Sequence, residues 1–171
     1  MTATTTDSAF GVTPIPADVL DRMRAAGHDD FGNPLAPAAD QDGGSPMRCC
    51  LRRSAPGDRL CVIAYRPFTR PGPYAESGPV FIHADRCAGY DDTGAYPPGY
   101  RDWPTMVFRP YRYDGVIAYD AIQMGDAETA EALIADIFAD PTIEFIHTRN
   151  VYAGCFMFRI GRPVTATGAG R

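Results

Sequence analysis

The sequence predicts an α+β fold, with a mostly antiparallel sheet of about six or seven strands and two main helices. Strand-like runs outnumber helical ones, helices do not alternate regularly with strands, and the last two strands follow each other directly. A parallel sheet would require a long crossover between neighbouring strands. The chain has 171 residues, of which 45% are hydrophobic, and this fits one domain with a substantial core.

The N-terminal part of the sequence is predicted to form an arm followed by a helix. Residues 1–13 are polar and rich in threonine, which favours a flexible arm. We predict a single globular domain over residues 14–165 and a short tail over 166–171. The first helix is expected over residues 14–27, with Pro16 in its first turn and Gly27 at its end. Apolar residues at helical spacing form its buried stripe: Val19, Leu20, Met23 and Ala26.

Three apolar runs in the first half of the chain predict strands. Residues 47–53 form a short run that ends before the turn SAPGD. Residues 60–65, LCVIAY, are apolar on both faces, as in a central strand. Residues 79–84, PVFIHA, place Phe81 and His83 on one face of the next strand.

A long segment without periodicity follows over residues 85–104. Loops of this length are uncommon in compact domains and are often functional. Because this segment is rich in aromatic residues, we expect it to pack onto the rest of the domain. These residues are Tyr90, Tyr96, Tyr100 and Trp103.

The C-terminal part predicts two extended runs, a helix and a hairpin. The extended runs cover residues 105–109 and 113–124. The helix is expected from Asp126, a good N-cap, to residue 139, where Asp140 and Pro141 stop it. Strands over residues 143–148 and 155–160 would then form the hairpin.

Charge and residue usage exclude several kinds of partner. The net charge is -5, so we expect neither nucleic acid nor an anionic membrane as a partner. No run reaches the roughly 20 apolar residues of a membrane-spanning helix. All 16 basic residues are arginine, which excludes a lysine Schiff base. The sequence lacks P-loop, dinucleotide-binding and H-E-x-x-H motifs, and we predict no cofactor.

The five cysteines predict free thiols, because an odd number does not form a closed disulfide framework. The N-terminus lacks the regions of a signal peptide, so we expect a cytoplasmic location. Cys50, His83, Cys87 and Cys155 are possible zinc ligands, but no C-x2-C pair is present. We therefore favour structural thiols and predict no metal site. Whether Cys50, Cys87 and Cys155 meet in space is left open.

Several segments together resemble one protein family. They are RCCLR, YAESGPVFIHADRC, the helix ending in ADP, IEFIHTRN and CFMFRI. These segments resemble the DUF1203 family of uncharacterised bacterial proteins over residues 46–162. The resemblance implies a shared fold and no particular reaction. The resemblance also implies two cysteine pairs, a Cys-Arg-x-Cys element at residues 47–50 and a Cys-x-x-Cys element at residues 155–158. This chain retains Cys50 and Cys155, but it has Met47 and Phe158 in place of the other two cysteines.

The densest group of polar residues lies in PYAESGPVFIHADRC, residues 73–87. Histidine is the commonest general acid or base, and His83 ends a strand just before the aromatic loop. We expect its ring to face a pocket roofed by that loop, with Glu76 and Tyr74 as further catalytic residues at the rim. Glu76 would act from a turn folded back over the sheet, since an extended chain separates it from His83 by roughly 20 Å. The alternative is a core histidine beside Phe81.

Five residues are predicted to bind substrate. Arginines can hold an anionic group and aromatic rings can stack on a ligand. The same residue types are enriched in protein interfaces, which leaves self-association as an alternative role. The residues are Arg101, Arg109, Tyr96, Tyr100 and Trp103.

These patterns lead to a functional hypothesis with two alternatives. We predict a protein that binds a small-molecule ligand, best described as a cofactor-independent isomerase, cyclase or hydro-lyase with a pocket centred on His83. The first alternative is a non-catalytic homo-oligomer such as a homodimer. The second is a structural zinc module. The sequence leaves open the substrate, the reaction, the oligomeric state and whether the protein is an enzyme. His147 is expected in the core, near His83 only if their strands are neighbours.

Overall fold

The α+β class with antiparallel strands is confirmed by the computed structural model, which describes residues 9–91 and 94–163. The strands form two sheets instead of the single sheet expected. One is five-stranded and the other three-stranded, and all pairings between named strands are antiparallel. In chain order the elements are β1 (Gly11–Thr13), α1 (Ala17–Ala26), β2 (Ala38–Ala39), β3 (Arg59–Tyr65), β4 (Gly78–His83), β5 (Met106–Arg112), β6 (Gln123–Gly125), α2 (Ala130–Phe138), β7 (Ile143–Asn150) and β8 (Phe156–Gly161).

The three-stranded sheet has the order β2-β3-β4. The strand predicted as central, β3, does lie between two neighbours. Helix α1 ends at Gly27, whose φ of 75° is in the left-handed region that glycine adopts easily. Leu20 and Met23 from α1 are buried in the core of this sheet, together with Ile63 and Ile82.

The five-stranded sheet has the order β1-β8-β7-β5-β6. The predicted C-terminal hairpin is confirmed, because β7 pairs with β8. Helix α2 buries Ile134 and Ile137 in the core of this sheet. It begins at Ala130, later than predicted, because the carboxylate of Asp126 caps the preceding turn by accepting the N–H groups of Glu128 and Thr129.

Residues 47–53 form a turn where a strand was predicted. The N–H of Met47 donates to the carbonyl of Arg52, and the N–H of Leu51 donates to that of Met47. The turn places Leu51 at a φ of 53°, which is uncommon for a residue with a side chain. Because these backbone groups bond within the turn, they are not available for a sheet.

Two further segments differ from their predictions. Residues 113–124 were expected to be extended, but they contain a turn and a 3-10 helix, Tyr119–Ala121, before β6 begins. Residues 11–13 were assigned to a flexible arm, yet β1 pairs with β8. Residues 1–8 and 164–171, which include the predicted tail, lie outside the described residues.

The aromatic loop packs onto the domain, as its composition indicates. Tyr96 and Tyr100 are 1% and 0% exposed and belong to the core of the five-stranded sheet. Gly99 allows a close approach to the turn 47–53, because a Cβ there would lie 2.5 Å from the carbonyl oxygen of Leu51. Asp92 and Thr93 are outside the described residues.

Neither helix in the described part of the chain has the length and hydropathy of a membrane-spanning segment.

Candidate metal centre

Three thiols and one imidazole converge beside the end of β4. Cys49 and Cys50 come from the turn 47–53, His83 from the last position of β4, and Cys87 from the loop that follows. Their potential ligand atoms all lie within 4.8 Å of one another. Cys49 Sγ is 3.2 Å and Cys50 Sγ 3.7 Å from His83 Nδ1. Ligands placed tetrahedrally around zinc are separated by roughly 3.3–3.8 Å, so the cluster has the size of a zinc site.

Backbone pairing with β4 brings the turn to His83. Met47 forms a parallel bridge with Phe81, and the N–H of Arg48 donates to the carbonyl of Phe81 at 2.9 Å. The chain then turns immediately, so the next residues, Cys49 and Cys50, lie against the end of the strand. A short stretch of sequence thereby supplies two thiols to one site.

Each of the three sulfurs accepts a hydrogen bond from a backbone N–H. Such bonds stabilise a thiolate and suit sulfurs that bind a metal. The guanidinium of Arg52 also bonds to the sulfur of Cys50 and brings a positive charge. The backbone donors are His83 to Cys49 at 3.4 Å, Arg52 to Cys50, and Gly89 to Cys87.

The three thiols constrain one another's ionisation. Hydrogen bonds with Cys49 and then Cys50 hold the pKa of Cys87 well below its usual range. Hydrogen bonds with Cys50 and Cys87, followed by burial, raise the pKa of Cys49. One thiolate is therefore favoured over three. A divalent cation would relieve this restriction, because metal coordination stabilises each sulfur in its deprotonated form.

The second ring nitrogen of His83 faces a carboxylate. Its Nε2 lies 3.5 Å from Asp58 Oδ2. Asp58 is itself held in place, since it accepts the N–H of Ala55 at 2.8 Å. A carboxylate on the far nitrogen is the usual partner of a metal-binding histidine, because it fixes the ring orientation and the tautomer.

The cluster differs from the zinc set considered from sequence. Cys50, His83 and Cys87 do meet, but Cys155 lies elsewhere, where its Sγ accepts a hydrogen bond from Arg48 Nη2 at 3.0 Å. Cys49 takes its place. Cys49 was missed because residues 47–53 were predicted as a strand, in which adjacent side chains point to opposite faces. In a turn, adjacent thiols can converge.

The residues predicted to be catalytic are not all together. Glu76 precedes β4 and pairs with Arg109 and with Arg149 on the five-stranded sheet, whereas His83 lies at the other end of β4. The ring of Tyr74 packs against Tyr119 with centroids 6.3 Å apart. Their catalytic roles stay predictions.

The cavity at His83 is small and is lined mainly by charged residues. Its volume is about 230 Å³, and its lining includes Asp58, Arg59, Asp85 and Cys87. Aromatic side chains of the loop do not form its lining, contrary to the roof expected from sequence, because they pack into the other core. His147 lies in the five-stranded sheet, so its strand and that of His83 are not neighbours.

The residues predicted to bind substrate are spread over several contacts. Arg101 pairs with Glu131 of α2 at 2.6 Å. Trp103 is partly buried against the core of the five-stranded sheet, and the guanidinium of Arg53 lies 4.9 Å from its ring centroid. Tyr96 and Tyr100, being almost fully buried, expose little surface to a ligand or a partner. The binding roles of these residues and of Arg109 also stay predictions.

Comparison with known proteins identifies a family without a named activity. No curated protein and no solved structure matches the chain significantly. One family, described as a protein of unknown function (DUF1203), matches residues 44–162. This span includes the whole thiol–imidazole cluster. Because the match covers well over half of the chain, the protein belongs to the DUF1203 family.

Proposed function

We propose that the protein binds zinc through Cys49, Cys50, His83 and Cys87. The observation that carries the proposal is the approach of these four ligand atoms to within 4.8 Å of one another. Three thiolates and an imidazole are a typical ligand set for Zn²⁺. The backbone N–H donors to sulfur and the carboxylate of Asp58 behind His83 support the same assignment.

The ion would have a structural role. Four protein ligands complete a tetrahedral shell, whereas catalytic zinc usually keeps one position for water or substrate. The ligands come from the turn 47–53, the end of β4 and the start of the aromatic loop. Zinc would therefore link the turn and the start of the aromatic loop, which are both irregular, to the end of β4, and its binding energy would add to the stability of the fold. Intact thiols fit the reducing, cytoplasmic location inferred from the sequence.

An enzyme centred on His83 remains the alternative proposal. Zinc binding and general-base catalysis would both use the Nδ1 atom of His83. A zinc ion at Nδ1 would occupy the lone pair that a general base needs. Small-molecule catalysis at His83 is therefore supported only if the cluster does not bind metal. The self-association alternative would now rest chiefly on Trp103, because Tyr96 and Tyr100 are buried.

Metal analysis of the untagged protein tests the proposal. We expect about one zinc ion per chain. The variant Cys49→Ser should lose most of the metal, because serine is a poor zinc ligand. The matched variant Cys155→Ser removes a thiol outside the cluster and should keep the metal. Cobalt substitution gives an independent readout, since tetrahedral thiolate coordination produces intense visible absorption that Cys49→Ser should weaken.

Two results would contradict zinc binding at this cluster. The first is wild-type protein that takes up no stoichiometric metal even after incubation with zinc under reducing conditions. The second is equal metal loss in Cys49→Ser and Cys155→Ser while both variants remain folded by circular dichroism. The first result would return His83 to consideration as a general acid or base.

A further inference from the structure

A second polar site lies where β4 begins, at the opposite end of that strand from His83. It is a cavity of about 180 Å³, and its lining includes Glu76, Pro79, Arg149 and Cys155. None of these residues belongs to the proposed zinc cluster. The site therefore stands independently of the zinc proposal.

Arg149 is buried with part of its hydrogen-bonding capacity unused. It lies on β7, in the interior of the five-stranded sheet, and is only 5% exposed. Its Nη1 donates to the carbonyl of Gly154 at 2.9 Å. Nη2 lies 2.6 Å from Glu76 Oε1, and the guanidinium also has a hydrogen bond with the side chain of Tyr111, whereas Nε has no hydrogen-bond partner among the described residues. A buried guanidinium with unused N–H groups lowers stability unless an acceptor is supplied.

Positive charge exceeds negative charge among the residues that line this cavity and their hydrogen-bond partners. Arg109 also donates to Glu76 Oε1, so one carboxylate oxygen serves two guanidinium groups. On the other side, Arg48 is 1% exposed, and its donors go to Cys155 Sγ and to the backbone carbonyls of Pro46 and Phe156. The described contacts give Arg48 no carboxylate. A bound anion would redress this imbalance.

We propose that this cavity binds a small carboxylate-bearing molecule, with its carboxylate on Arg149 and its other end against the thiol of Cys155. The guanidinium offers a fork of donors that matches a carboxylate. The volume of about 180 Å³ equals roughly six water molecules at ~30 Å³ each, which suits a short-chain acid.

Glu76 acts as an internal carboxylate that the ligand displaces from Arg149. Its side chain is 40% exposed, and it lies in the proline-rich segment before β4, whereas Arg149 is fixed within the sheet. Displacement leaves Glu76 its pairing with Arg109. Entry of the ligand therefore replaces one ion pair without leaving a carboxylate unpaired.

Alkylation of Cys155 by iodoacetate and by iodoacetamide tests the site, because these probes differ in carrying a carboxylate or a neutral amide. In both reactions the thiolate sulfur forms a bond to carbon, the carbon–iodine bond breaks and iodide leaves. Rates at Cys155 are measured by peptide mass spectrometry. We expect the ratio of the iodoacetate rate to the iodoacetamide rate to be roughly five- to tenfold higher in the folded protein than in the same protein unfolded in urea.

Two variants give opposite expectations. Arg149→Gln removes the recognising charge and should lower the ratio toward the value of the unfolded chain, with Arg48 beside Cys155 accounting for the part that remains. Glu76→Gln removes the competing charge and should raise the ratio above that of the wild type. Circular dichroism and zinc content, measured on the same samples, should be unchanged in Glu76→Gln.

A folded wild type with the same ratio as the unfolded chain would overturn the proposal. A ratio unaffected by Arg149→Gln in a folded variant would do the same. If Arg149→Gln does not fold, Glu76→Gln decides: a ratio at or below the wild-type value overturns the proposal, and a higher one supports it.

Discussion

Asp58 is a single side chain whose position behind His83 gives it a defined role in the proposed zinc site. It binds no metal itself, but its carboxylate faces Nε2 of the imidazole. We expect Asp58→Asn to weaken zinc affinity by about 10–100-fold, because the amide removes the charge that orients the ring and increases its basicity. Competition with a chromophoric chelator measures this affinity.

The matched control is Asp85→Asn, a change of the same type in the same small cavity. Asp85 is exposed and pairs with Arg59 at 3.2 Å, and no described contact joins it to His83. Its replacement should leave zinc affinity within about twofold, as surface ion pairs contribute little. Equal weakening by both substitutions would show that general cavity charge, and not the contact with His83, controls binding.

Individual residues also show which parts of the site the sequence could predict. His83, Cys50 and Cys87 were recognised as possible ligands from residue type alone. The predicted ligand set wrongly included Cys155 and omitted Cys49. Which cysteines reach His83 depends on how the chain turns at Leu51, and the positive φ of Leu51 has no clear signal in the sequence. The partners of Glu76 come from strands more than thirty positions away, and one sequence does not reveal such pairings.

At the scale of elements, the turn 47–53 connects otherwise separate parts of the fold. Met47 forms a bridge with β4. The carbonyl of Met47 also accepts a hydrogen bond from the hydroxyl of Tyr100. The carbonyl of Arg48 accepts one from the backbone N–H of Ile15. Its own backbone contains few repeated hydrogen bonds. Zinc at Cys49 and Cys50 would add a covalent restraint to its outer end, where Leu51 is already buried in the core.

Removal of zinc should loosen two segments selectively. We expect chelation to increase amide hydrogen exchange by about tenfold or more in residues 47–53 and 85–91, because each would lose its metal link to β4. The β7–β8 hairpin should change little, since its amides bond within the five-stranded sheet. Exchange mapped by mass spectrometry, with and without chelator, measures the difference.

Cys49→Ser is the control for side effects of the chelator. Its exchange in these segments should already be fast and should not respond further. If chelation leaves both segments of the wild type unchanged, the proposed zinc link does not restrain them.

Elements with a regular apolar pattern were predictable, and irregular ones were not. β4, α2 and the β7–β8 hairpin follow from residues that alternate or repeat at helical spacing, and β3 follows from a continuous apolar run. The division into two sheets did not follow, because it depends on which strand edges pair across long stretches of chain. Residues 113–124 have strand-like composition but bend at Gly115, which has a φ of 80°.

At the scale of the whole molecule, the two cores meet near the start of β8. Phe156 begins this strand of the five-stranded sheet, yet its side chain packs in the core of the three-stranded sheet. Its ring centroid lies 5.1 Å from that of His147. His147 is fully buried, and its ring nitrogens have no hydrogen-bond partner among the described residues. The junction between the cores therefore contains a titratable group in apolar surroundings.

Burial makes His147 a source of acid sensitivity for the whole fold. Loss of hydration, and then repulsion from Arg159, Arg149 and Arg109, holds its pKa well below 6.5. The unfolded chain therefore binds a proton that the folded chain does not, and stability falls as pH decreases below about 6.5. This group alone should lower the free energy of unfolding by about 1 kcal/mol between pH 6.5 and 5.5.

His147→Phe should remove that contribution, because a similar ring without a titratable nitrogen occupies the same aromatic surroundings. Urea unfolding at several pH values should show a fall in stability between pH 6.5 and 5.5 that is smaller by about 1 kcal/mol in the variant than in the wild type. Acid also protonates the zinc ligands, but both proteins share that effect and the comparison cancels it. Identical pH dependence in His147→Phe and wild type would mean that His147 is as readily protonated in the folded chain as in the unfolded one.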